Sequence, residues 1–177
     1  MILTGTEIER EVERSRIVID PFRPGSVEPN SYGFRLSPHL IVYEDEVLDA
    51  RRPPVARNIE LPEDGLVLAP GTLYLGSTVE RLGSPHYAAT LYARCSVSTM
   101  GMWIQYSAPL GHMGAVIAWT LEIRVAHPLV VFPEMPIGKI AFWATRGRDC
   151  AYRGRYRGSV TTVASRLAAA DGPGGWP

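Results

Sequence analysis

Glu122 lies inside Ala115-Val116-Ile117-Ala118-Trp119-Thr120-Leu121-Glu122-Ile123, an apolar run with the character of a buried strand. A carboxylate in such a run is costly unless it is paired, hydrogen-bonded or held protonated. A group poised between those states can take a proton from water and return it to a leaving group, which is general base and acid chemistry. The residues alone allow a second reading, a strand-end Glu that faces water or pairs with Arg124. Arg94 is the next candidate. It precedes Cys95-Ser96-Val97-Ser98-Thr99, and a guanidinium fork beside hydroxyls and loop N–H groups has the makings of a phosphate cradle. The competing reading is a surface Arg beside a buried Cys, with Cys95 packing as a small hydrophobe and acting as a nucleophile only if its thiol is activated. His112, in Gly111-His112-Met113-Gly114, reads either as a base tuned near neutral pH or as a structural turn residue.

The elements that must position these groups are mostly strands. Ser31 to Leu36 and Leu66 to Leu68 alternate, and strand-like runs follow at Leu73 to Val79, Ala88 to Ala93, Ala115 to Val125, Leu129 to Phe132 and Ile137 to Trp143. Pro and Gly punctuate the gaps at short intervals, as in a sandwich or barrel. Before them, Ile8 and Val12 stand four apart in Thr6–Arg14, and Thr4 is a candidate N-cap, which predicts one short amphipathic helix. A second short helical piece is expected after Arg94. The chain therefore reads as all-β with an N-terminal helix, one domain over residues 1–167 and a small, flexible tail at 168–177.

Composition narrows the partners. Zero formal net charge over 177 residues gives no bulk attraction for nucleic acid. Seventeen Arg stand against a single Lys, Lys139, so an Arg by itself is weak evidence for a phosphate clamp. Cys95 and Cys150 make neither a disulfide framework nor a Cys-x-x-Cys metal pair, which points to a reducing compartment. The first residues lack the basic and apolar regions of a signal peptide, and no window approaches a membrane span. A cytoplasmic protein with no membrane or nucleic-acid partner is expected.

The ordered series Leu68-Ala69-Pro70-Gly71, Thr78-Val79-Glu80, Arg94 to Gly101, Gly111-His112-Met113-Gly114 and Leu121-Glu122 resembles the dCTP deaminase branch of the trimeric dUTPase-like superfamily. Asn30-Ser31-Tyr32-Gly33-Phe34-Arg35-Leu36 is similar to that family's Asn/Ser-Tyr-Asp turn. Arg94 precedes Glu122 by twenty-eight positions, the separation between the family's Arg-Ser-Ser arginine and its catalytic Glu. Tyr152-Arg153-Gly154-Arg155-Tyr156-Arg157-Gly158-Ser159 resembles the family's Tyr-x-Gly-Lys-Tyr-x-Gly-Gln segment, with Ser165-Arg166 following in place. The resemblance implies a distorted β-barrel or jelly roll of the dUTPase-like type, assembled as a homotrimer with sites shared between neighbours.

It also implies a metal-independent deaminase of a cytosine (deoxy)nucleotide, with Glu122 activating water for attack at C4. Zinc deaminases use His or Cys with a Pro-Cys-x-x-Cys pair, which this sequence lacks. Arg94, Cys95, Ser96 and Thr99 would bind the nucleotide from the loop, His112 and Thr120 from the turn and strand. Tyr152, Arg155 and Ser159 would close over it, and Mg²⁺ enters only as the counterion of a bound triphosphate. The departures from the family pattern fall on chemistry-bearing positions. Cys95 replaces a Ser, Thr99 an Arg, His112 an Asp, Met113 a Pro, Gly33 an Asp, Ser159 a Gln and Arg155 a Lys. Loss of the charge at Thr99 removes a preorganised donor of the kind that lowers barriers most. His112 then has a further reading, as the sugar or water contact in place of the Asp. A dUTPase-like or other nucleotide hydrolase and a non-catalytic nucleotide-binding module remain the competing functions.

Overall fold

The computed structural model describes residues 1–148 and 150–169. All but two residues of the tail expected at 168–177 lie outside the described residues. Helix α1 (Gly5–Glu13) is the expected N-terminal helix. Thr4 is its N-cap in extended conformation, but its hydroxyl makes no capping bond and lies 3.2 Å from that of Thr6. Ile8 is fully buried, and so, unexpectedly, is Glu11 at 2 % exposure. The Glu11 carboxylate accepts the Tyr87 hydroxyl at 2.6 Å and Arg14 Nη1 at 3.0 Å, and Arg16 Nε stands 2.9 Å from it in an ion pair.

Those partners, the Tyr87 bond first, hold the Glu11 carboxyl below its ordinary 4.5 although burial opposes them. A folded-state value below the unfolded one stabilises the fold above the ordinary carboxylate range, and this contribution is lost as pH falls through the folded value. Urea midpoints followed from neutral into acid pH should therefore drop more steeply for the native chain than for Glu11→Gln. Parallel curves would contradict this assignment.

The larger sheet takes β1 (Val18–Asp20), β4 (His39–Tyr43), β5 (Ala56–Glu60), β7 (Tyr74–Gly83), β9 (Met102–Trp103) and β11 (Val116–Val125). Its order is β5-β4-β7-β11-β9, with β1 beside the last residues of β7. The second sheet takes β2 (Val27–Glu28), β3 (Ser31–Arg35), β8 (Tyr87–Ala93), β10 (Leu110–Gly111) and β13 (Pro136–Ala144), in the order β10-β8-β13-β3-β2. A two-stranded ribbon joins β6 (Leu66–Leu68) to β12 (Leu129–Val131). Every pairing is antiparallel.

Tyr32, Phe34, Ile140 and Phe142 from one sheet and Leu82, Leu121 and Ile123 from the other share one core cluster. All five residues of β3 are buried, where alternation was expected. The strand packs against both β7 and α1. The mainly β fold with its N-terminal helix is as expected, but the described strands form open sheets and no closed barrel. Their ends explain this: β5 is almost wholly exposed, and β9 and β10 are two residues long.

The Thr78-Val79-Glu80 motif is a device of the fold. Ala118 pairs with Arg81 and Thr120 with Ser77, so three residues of β7 oppose the single Trp119 of β11 in a bulge. Thr78 bridges the gap, accepting the Trp119 N–H at 3.0 Å and donating to the Glu80 carbonyl at 2.7 Å. The bulge turns Glu80 inward, to 0 % exposure. There its carboxylate takes Arg35 Nε at 2.7 Å and the Arg35 backbone N–H at 2.9 Å, while Glu134 holds the same guanidinium from outside.

Candidate active site

Beyond the bulge, β11 alternates. Leu121, Ile123 and Val125 are buried in the core, while Thr120, Glu122 and Arg124 are half-buried and line a cavity of about 730 Å³. Glu122 is thus not sunk in the core, as its apolar neighbours suggested; the strand's other face carries it. Its Oε2 accepts the backbone N–H groups of Tyr106 and Ser107, both at 2.9 Å. Its own N–H donates to the Ile104 carbonyl at 2.9 Å. The desolvation cost of the carboxylate is met by two donors rather than by a cation. The alternative pairing with Arg124 does not form: that guanidinium lies over the Tyr106 ring, 5.4 Å from its centroid.

The chain after Ala151 wraps this cavity. Tyr152 docks through its N–H on the Met113 carbonyl at 2.8 Å, and its ring stacks on His112 with centroids 5.5 Å apart and planes 11° from parallel. Gly114, at φ +88°, makes this approach possible, since a Cβ there would stand 2.9 Å from the Tyr152 nitrogen. The Ser159 carbonyl accepts the Ala118 N–H at 3.0 Å, and Thr120 Oγ1 accepts the Val163 N–H at 3.1 Å. The Ser159 hydroxyl donates to the Tyr156 carbonyl at 2.7 Å, within its own turn. Ser165 N–H donates to the Tyr43 hydroxyl at 2.8 Å.

Of the residues singled out from sequence, Glu122, His112, Thr120, Tyr152 and Ser159 line the cavity. Arg155 does not; its Nη1 donates to the Arg166 carbonyl at 3.0 Å, and Arg166 returns a bond to the Arg155 carbonyl. Arg94, Cys95, Ser96 and Thr99 also lie off it. Arg94 caps the short helix α2 (Cys95–Thr99), the helical piece expected there. Its backbone N–H donates to the Ile137 carbonyl at 3.1 Å, and its Nη2 lies 3.2 Å from Glu28 Oε1. Lys139, the single lysine, stands 3.8 Å from the other Glu28 oxygen. Gly33 leaves the room for this cluster: a Cβ there would meet Arg94 Nη1 at 3.0 Å. Cys95 is exposed, so the reading of it as a packed thiol is wrong for this chain by itself. Thr99 Oγ1 donates to the Ser96 carbonyl at 3.2 Å.

Sequence reasoning missed Tyr106 and Ser107, which act through backbone N–H groups that no side-chain type announces. It also missed Tyr43 and Trp119 as cavity walls. Among the described residues no three His, Cys, Asp or Glu side chains gather to hold a metal ion, and no helix is long and apolar enough to cross a membrane.

Comparison with known proteins meets this geometry. Residues 2–145 match the model of the dCTP deaminase-like family. A dCTP deaminase of Rhodopirellula baltica is 40 % identical over 147 residues, 83 % of this chain and 74 % of that one. A dUMP-forming dCTP deaminase of Leptospira biflexa is 39 % identical over 158 residues, 89 % of this chain and 90 % of the relative. One from Hathewaya histolytica is 37 % identical over 168 residues, 94 % and 97 % of the two. The crystal structure of 2'-deoxycytidine 5'-triphosphate deaminase from Agrobacterium tumefaciens superposes with a TM-score of 0.64 at 17 % identity. That match covers 81 % of this chain and 48 % of the other, about half its length, and it supports the fold. With a family model spanning most of the chain and relatives this similar over nearly their whole length, the chain belongs to the dCTP deaminase-like family.

Proposed function

We propose that this protein deaminates a cytosine deoxynucleotide, with dCTP as the substrate and Glu122 as the group that activates water. The observation that carries this reading is the Glu122 carboxylate on a cavity wall, held by two N–H donors on one oxygen. Glu122 takes one proton from water as the oxygen bonds to cytosine C4, and the electron pair of the opening C4=N3 bond takes that proton at N3. The hydroxyl proton of the tetrahedral intermediate then passes by way of Glu122 to the exocyclic nitrogen, the bond from C4 to that nitrogen breaks, and ammonia leaves a uracil nucleotide with its C4 carbonyl formed. Thr120, His112, Tyr152 and Ser159 shape the cavity around the base and sugar.

The phosphates need cations, and Arg94 with Cys95, Ser96 and Thr99 lies off the cavity of its own chain. We therefore read the protein as a homotrimer in which the Arg94 loop of one copy serves the cavity of the next. Arg155 would take phosphate only by leaving its bond to Arg166. No resident metal enters this chemistry, and Mg²⁺ accompanies the triphosphate as its counterion. Two exposed free thiols suit a reducing, cytoplasmic setting.

A second reading rests on the relatives named dUMP-forming. In it the same site also releases diphosphate, so dCTP yields dUMP. His112 at the position of the family's Asp weighs against that hydrolytic half. Incubation with CTP, dCTP, CMP, dCMP and dUTP, with products resolved by mass, separates the readings. We expect dCTP to be consumed with release of ammonia. Diphosphate alongside it marks the dUMP-forming route, and free base or an untouched panel would overturn the proposal. A solution mass of one chain would overturn the shared site.

A further inference from the structure

The loop that holds Glu122 has little else to hold it. At one end the Ile104 carbonyl takes the Glu122 N–H at 2.9 Å, and at the other the Pro109 carbonyl takes the Leu91 N–H at 3.0 Å. Between them, the hydrogen bonds of residues 105–108 among the described residues run to Glu122 Oε2 alone. With its ends anchored but no other hydrogen bond along these four residues, the middle of the loop needs a side-chain contact to stay in place. Tyr106 is 61 % exposed, and the Arg124 guanidinium lies over its ring at 5.4 Å. Arg124 stands two residues after Glu122 on the same face of β11 and makes no ion pair among the described residues. A guanidinium over an aromatic face attracts it electrostatically and needs no carboxylate to do so.

We propose that Arg124 is a positioning residue for Glu122, its guanidinium on the Tyr106 ring holding the 105–108 loop so that two N–H groups fix one carboxylate oxygen and leave the other for water. The proposal rests on Glu122 being the base of the proposed deamination. In this role Arg124 acts through the loop and not on the substrate. Its effect is on the fraction of molecules with the loop in place, and a partly exposed contact of this kind shifts such a population roughly two- to fivefold.

The test pairs kinetics with backbone amide hydrogen exchange in Arg124→Ala, Arg124→Lys, Tyr106→Ala and the double variant. Arg124→Ala should lower kcat for dCTP by roughly two- to fivefold with KM little changed, and Tyr106→Ala should do the same. The double variant should lose no more than either single one, because both remove the same contact. Arg124→Lys, keeping the cation, should recover part of the loss. In the alanine variants the Tyr106 and Ser107 amides should exchange faster than in the native chain, while amides of the β11 core stay protected and report an intact fold. A raised KM with kcat unchanged would make Arg124 a substrate contact and overturn the proposal, as would unchanged exchange at both amides. If the native chain leaves dCTP untouched, the functional reading fails by itself, and the exchange data still decide the role of Arg124.

Discussion

Glu122→Gln is expected to lower dCTP turnover by about a hundred- to ten-thousandfold, the range that a positioned acid–base group contributes. The amide has the shape of the carboxyl group, and its oxygen can still accept the Tyr106 and Ser107 N–H bonds that meet Oε2. The loop and the cavity should therefore stay as they are, and nucleotide affinity by calorimetric titration should change only a few-fold. What the amide cannot do is take a proton from water. An ammonia-release assay reads the loss directly, and retained turnover would remove Glu122 from the mechanism.

Arg35→Met is expected to destabilise the fold by about 3–5 kcal/mol, because it strands the Glu80 carboxylate at 0 % exposure without its cation. That is a large part of the roughly 5–15 kcal/mol that holds a domain together. An exposed pair such as Arg57–Glu44, at 2.8 Å, bounds the other extreme, with about 0–1 kcal/mol at stake. Burial, not distance, separates the two cases, since Arg35 and Glu80 lie 2.7 Å apart. Urea denaturation measures the loss. Adding Glu80→Leu to Arg35→Met should restore part of it, since the unpaired charge then disappears. A single-variant loss no larger than that of the exposed pair would show that solvent reaches Glu80.

Particular elements show how much of this the sequence discloses. β11 and β13 are legible from their apolar runs, and α1 from the spacing of Ile8 and Val12. β5 is not, because Ala56-Arg57-Asn58-Ile59-Glu60 is an edge strand with nearly every residue exposed, and backbone pairing with β4 defines it. β9 and β10 are too short to show a period. In the site, Glu122 is legible because a carboxylate in an apolar run must be accounted for. The donors that account for it are backbone groups, silent in sequence. For Arg124 the sequence offers an ion pair with Glu122 only as one alternative, and the aromatic contact it makes instead depends on a loop conformation that residue types do not specify. The Gly33 departure also makes sense only in three dimensions, as the hollow into which Arg94 fits beside Glu28.

In this mechanism water, activated by Glu122, replaces the amino group at cytosine C4. Turning over dCTP in water enriched in heavy oxygen, and fragmenting the product in a mass spectrometer, follows that oxygen directly. One heavy oxygen is expected on the uracil base, absent when Glu122→Gln is used. Label on phosphate alone, with the base still cytosine, would contradict it and make the protein a phosphate hydrolase.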